Sequence, residues 1–151
     1  MAVGHTSLTP TQMEWGEGFI TPFWAMPSSV TAGKWSLVSS TSYIMYNGFY
    51  QVNDADLAQI NFDVWLSKGT YTFSMCYLTD PATAICDVLI DGVSKGTIDT
   101  YGVGTVYNSL GTVANIVITT SGKHSLSLKV NGKSGSHYYL VISTFVLYRT
   151  A

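Results

Sequence analysis

The chain has 151 residues, seven of them Lys or Arg and nine Asp or Glu, so only 11% are charged, against about 25% in an ordinary soluble domain. With aromatics at 13% and a formal net charge of −2, it is neither a disordered chain, which needs low hydrophobicity and high net charge, nor a basic nucleic-acid binder, which needs excess Lys and Arg against phosphate. Its length suits one core, and so little charge to cover a surface points to burial against copies of itself or a larger assembly.

The chain opens, from Met1 to Trp15, without a basic region or an apolar stretch, so no secretory signal is read there. Residues 1–40 hold three of the four Trp (Trp15, Trp24, Trp35) and three of the four Pro. They read as an extended attachment segment, part of the same domain, wrapped over the remainder or over a neighbouring subunit. Residues 41–151 read as an all-β, antiparallel sandwich. Turn signals recur at Lys68-Gly69, Asp80-Pro81, Asp91-Gly92, Gly102 to Gly104, Ser121-Gly122, Asn131-Gly132 and Ser134-Gly135. Short runs rich in Tyr, Val, Ile and Thr lie between them, the spacing of a sandwich or barrel.

Alternation marks the strands, because successive side chains point to opposite faces. Ile60, Phe62, Val64 and Leu66 share one parity, with Asn61, Asp63 and Trp65 on the other. Tyr71, Phe73, Met75 and Tyr77 form a second dry face, Cys86, Val88 and Ile90 a third, and Leu126, Leu128 and Val130 a fourth. Asp91-Gly92 suits a tight hairpin. The run from Tyr138 to Arg149 is apolar on both parities, as a central strand or one meeting a partner would be. It is too short to cross a bilayer as a helix, which takes about 20 residues.

From Asn61 onward the order of features is more specific. "WLSKGTYTFSMCY" (65–77) is followed by "DVLIDGVSKGTIDTY" (87–101) and by "ITTSGKHSLSLKVNGKSGSHYYLVISTFVLYR" (118–149). This resembles the galactose-binding-like jelly rolls of family 6 and family 35 carbohydrate-binding modules, in which a "GxYxf" strand, a later hairpin ending in "idG" and an "sGkHtLxLkv" strand precede a final hydrophobic strand. Similar jelly rolls occur in bacteriophage tail-fibre and capsid-decoration proteins. The resemblance implies a jelly-roll β-sandwich with a non-catalytic, binding or structural role.

Catalytic motifs are absent. His5, His124 and His137 lack metal-ligand spacing, and no G-x-S-x-G or P-loop occurs. His124 shares the parity of Leu126 and is expected at the core edge, holding a hydrogen bond. Glu14, Glu17, Asp54 and Asp56 are candidate calcium ligands, since hard cations take carboxylate and carbonyl oxygens and related sugar-binding jelly rolls often carry structural calcium. No other cofactor is expected. Cys76 and Cys86 are expected as free thiols: a hairpin turning at Asp80-Pro81 that keeps both dry faces inward leaves Cys76 on the opposite face. Sugar rings stack on exposed aromatic faces, and the candidates for that role are Trp15, Trp24, Trp35, Tyr50, Tyr101 and Tyr107.

Two functions follow. The first is a structural or adhesion protein of a phage-like virion, a capsid decoration or tail-fibre knob assembled in the host cytoplasm. Its partners would be itself, most simply as a trimer, other virion proteins and cell-surface glycans, with no nucleic acid and no membrane. The alternative is a monomeric carbohydrate-binding module that uses exposed Trp and Tyr.

Overall fold

The structure, a computed structural model, describes residues 19–21, 27–38, 49–52 and 55–151. Their strands, in chain order, are β1 (Phe19–Thr21), β2 (Ser29–Ala32), β3 (Trp35–Val38), β4 (Phe49–Val52), β5 (Gln59–Leu66), β6 (Gly69–Thr79), β7 (Ala84–Ile90), β8 (Val93–Asp99), β9 (Val106–Ile118), β10 (Gly122–Lys133) and β11 (Leu140–Arg149). They form two antiparallel sheets. One runs β3-β4-β11-β6-β9, with β1 also pairing β11; the other runs β2-β5-β10-β7-β8. This is the all-β antiparallel sandwich expected from the alternation and turn spacing, with the jelly-roll form that the resemblance implied.

Each expected dry face points inward. Ile60, Phe62, Val64 and Leu66 on β5 and Leu126, Leu128 and Val130 on β10 meet Tyr71, Phe73 and Met75 on β6 across a single core. Phe62 stands edge-on to Phe145, with ring centres 4.9 Å apart, and Phe145 stacks on Phe73 at 5.9 Å. The two sheets are thus joined by an aromatic chain. Each such buried side chain contributes about 1.5–3 kcal/mol relative to exposure. The doubly apolar last run becomes β11, the central strand of the larger sheet.

Two local expectations change. Asn131-Gly132 does not turn the chain: it sits inside β10, where the register against β7 shifts between Val130 and Lys133. The segment at Asp80-Pro81 does not close a hairpin either. β6 and β7 belong to different sheets, so this segment is a crossover between layers. Cys76 therefore lies on the outward parity of the larger sheet and Cys86 is buried under the smaller one; both thiols are free. What separates them is layer, not register within a ribbon.

Of residues 1–40, those in β1, β2 and β3 hydrogen-bond into the two sheets. β2 is tied in by side chains as well. Asn61 donates to Ser29 Oγ at 3.0 Å and to Thr31 Oγ1 at 2.8 Å, and it accepts from Gln59 and Ser127 at 2.8 and 2.7 Å. All its hydrogen-bonding capacity is used, as burial of an amide requires.

Candidate functional site

Three loops converge at one end of the sandwich: the β6–β7 crossover, the β8–β9 loop and the β10–β11 loop. Bridges join Asp80 to Tyr101 and Thr83 to Tyr139. The amide of Ser136 donates to Pro81 O at 3.0 Å, and that of Tyr139 to Ala82 O at 3.3 Å. Thr83, buried to 1% exposure, donates its hydroxyl to Thr100 O at 2.6 Å. Gly135 makes the closest approach. A Cβ there would come within 2.2 Å of Pro81 O and 3.2 Å of the Tyr101 ring, so only glycine lets the loops meet.

Carboxylates lock this end. Asp80 accepts from the Ala82 amide with one oxygen and from the Thr105 hydroxyl with the other. Asp99 accepts from the Tyr101 amide at 3.0 Å and from the Ser134 hydroxyl. Both acids are occupied in positioning loops, the capping role that Asp has in turns. On this frame Tyr101 is 41% exposed. His137 and Tyr139 stack nearly parallel, with ring centres 5.2 Å apart. The Lys133 ammonium lies 4.3 Å from the Tyr138 ring centre and donates to Ser136 O. The result is a held, aromatic-rich surface with a cation beside it. It suits stacking against a flat ligand whose C–H face is apolar and whose hydroxyls seek polar groups.

Among the sequence candidates, Tyr101 falls on this surface. Tyr107 is 38% exposed, near the start of β9. Trp35 is half-buried and packs against the core, with its Nε1–H lacking an acceptor among the described residues; it is not an open platform. Tyr50 lies in β4, between β3 and β11. Trp15, Trp24, Glu14, Glu17 and Asp54 lie outside the described residues. Asp56 is exposed, and one of its oxygens already accepts from the amides of Leu57 and Gly132. No group of three potential metal ligands occurs among the described residues, so those residues do not by themselves make a calcium cage.

Sequence reasoning missed His137, Tyr139 and Lys133 as parts of a binding surface, because only the meeting of three distant loops puts them at one end of the sandwich with Tyr101. It also passed over Trp65, 43% exposed. There the signal existed, since Trp65 shares the wet parity of Asp63 on β5.

The opposite turns show the electrostatics most clearly. His124 Nδ1 lies 2.6 Å from Asp91 Oδ2, and Nε2 lies 3.0 Å from Thr120 O. Desolvation pushes the Asp91 carboxyl up, but hydrogen bonds from His124 and the Ser125 amide outweigh it, so it sits below its ordinary value. Burial raises the Cys86 thiol to about 12, with the Asp87 charge adding to the rise. That cysteine is packing material rather than a nucleophile.

No family model and no curated protein matches the chain. Solved structures do. The CBM36-1 domain of a multidomain xylanase from the hindgut metagenome of Trinervitermes trinervoides aligns with a TM-score of 0.63 and 14% identity, over 89% of this chain and 98% of that one. A carbohydrate-binding module CBM36 in complex with calcium and xylotriose aligns at 0.59 and 15%, over 87% and 98%. A Paenibacillus xanthan lyase aligns at 0.67 and 19% over 82% of this chain, which spans only 12% of the length of that enzyme. At these identities the likeness establishes a shared fold.

Proposed function

We propose that this chain is a non-catalytic carbohydrate-binding module that holds polysaccharide on the loop end bearing Tyr101, His137 and Tyr139. One observation carries the reading: exposed Tyr101 stands on a glycine-tight, carboxylate-locked junction of three loops, and a pre-formed aromatic platform is what sugar stacking needs. The structural neighbours support it, because two of them are whole binding modules of this fold and one was captured with xylotriose. They favour sugar binding over the virion role that the composition had put first. Non-catalytic action fits the site chemistry, since Asp80 and Asp99 are both engaged in loop hydrogen bonds rather than set across a cleft.

The test is calorimetric titration and retardation in polysaccharide gels, beginning with xylan and xylotriose. Tyr101→Ala should weaken the best ligand about tenfold or more, the loss of about 1.4 kcal/mol or more from one stacked ring, with an unchanged melting temperature. Tyr107→Ala, outside the three-loop junction, should bind as the parent does. Equal binding by the Tyr101→Ala protein overturns the platform; no retention on any polysaccharide of the panel overturns the function.

A further inference from the structure

The two sheets divide the charge very unequally. Asp63, Asp87, Lys95, Asp99, Lys123, Lys129 and Lys133 all lie in strands of the five-stranded sheet, whereas the strands of the six-stranded sheet carry Arg149 alone, at the end of β11. Between residues 100 and 122, a stretch that includes all of β9, no charge occurs. The solvent face of an antiparallel sheet is ordinarily the polar one. Here its cross-strand rows read Leu110–Cys76–Thr144 and Thr112–Ser74–Val146, with Tyr148 beyond. Leu110 is 72% exposed and Tyr148 38%, at the two sides of a β6 row in which Thr72 and Ser74 are buried.

We infer that the outer face of the six-stranded sheet is a self-association surface, and that its occupant is the same face of a second copy of this chain. Desolvating this face costs little. The hydroxyls of Ser74 and Thr112 already bond each other at 3.2 Å, and no charge has to leave water. A charged partner would lose hydration here and find no counter-charge, whereas an identical face brings none. Strands about 4.8 Å apart with about 3.3 Å per residue give β6, β9 and β11 roughly 540 Å² in projection, so a facing pair covers about 1,100 Å², the size of a weak, reversible contact. Two sheets of one handedness stack aligned, as the layers of a sandwich do. Strand-to-strand addition at the β9 edge is disfavoured, because bulges at Asn108 and Asn115 interrupt that edge. A face that meets itself closes two-fold, so the species is a dimer, not the trimer expected for a virion protein.

Sedimentation equilibrium of the whole chain from micromolar to millimolar concentration tests this. The parent should form a reversible dimer, and Leu110→Lys and Thr144→Lys should each raise its dissociation constant about tenfold or more. Both positions are exposed, and melting temperature and polysaccharide retention, read on the same samples, should stay put. Lys123→Gln, on the other sheet, should dimerise as the parent does. A monomer throughout, a dimer indifferent to both lysines, a trimer, or a dimer lost with Lys123→Gln overturns the inference. So does a monomeric parent that pairs only once residues 1–18 are removed, which would assign the face to that segment. None of these outcomes depends on whether sugar binds the loop end.

Discussion

Asp91 joins backbone conformation to electrostatics in one side chain. It occupies φ 52° ahead of Gly92 at φ 77°, the pair of left-handed residues that a two-residue hairpin of the primed type requires. Its carboxylate then reaches His124 and the Ser125 amide, tying the β7–β8 turn to β10. Because its folded value lies below the ordinary 3.8, the carboxylate adds stability at pH above 3.8 that is lost as pH falls through the lowered folded value. Asp91→Asn keeps the left-handed turn, since Asn tolerates it, and removes the charge. The parent should therefore melt above the variant at pH 7, and the gap should narrow in melting curves taken from pH 4 down to pH 2.5. This residue was legible from sequence because Asp-Gly turn chemistry is local. The exposure of Tyr101 was legible for a related reason, an aromatic side chain beside a glycine-rich turn. The stack of His137 on Tyr139 was not, because it depends on which loops the sheets bring together.

At the scale of elements, alternation identified β5, β6, β7 and β10 with their inward residues, because burial in the core has a period of two there, whereas β8 and β9 carried no such reading and β11 stood out only as apolar on both parities. Partnership was less legible. Asp80-Pro81 looks like a hairpin turn, and nothing local says that the chain changes layer there; the long-range bonds of Thr83 and Ala84 to the other loops decide it. β9 hides a second feature. Its register against β6 slips twice, and at each slip an asparagine sits at φ 60°, Asn108 and Asn115. Each extra residue bends an edge strand that has no charge to protect it. Asparagine enters this conformation at low cost, a β-branched residue does not. Asn115→Val should lose about 1–2 kcal/mol in urea unfolding, whereas Asn115→Gly should lie within about 0.5 kcal/mol of the parent. Equal losses would mean that the side chain, not the backbone angle, matters at this position.

At the scale of the whole molecule, what the sequence withheld is the order of strands, and that order makes the last segment the keystone. β11 lies between β4 and β6, and β1 pairs it too. Beyond it the chain end stays bound: Thr150 N donates to Thr70 O and Thr70 N to Ala151 O, both at 2.7 Å. Until residues 140–149 are in place, β4 and β6 both present open edges to water and Phe73 lacks the stacked ring of Phe145. Pairings this distant in sequence are costly to close before they return any contact energy, so such folds form late and slowly. A chain ending at Tyr139 should show no cooperative melting transition and should be degraded by protease at a concentration that spares the parent. Adding a synthetic peptide of residues 140–151 should restore both the transition and the resistance, since the strand it supplies pairs with both β4 and β6. A truncated chain that melts cooperatively without the peptide would show that the smaller sheet carries a core of its own and that β11 is dispensable.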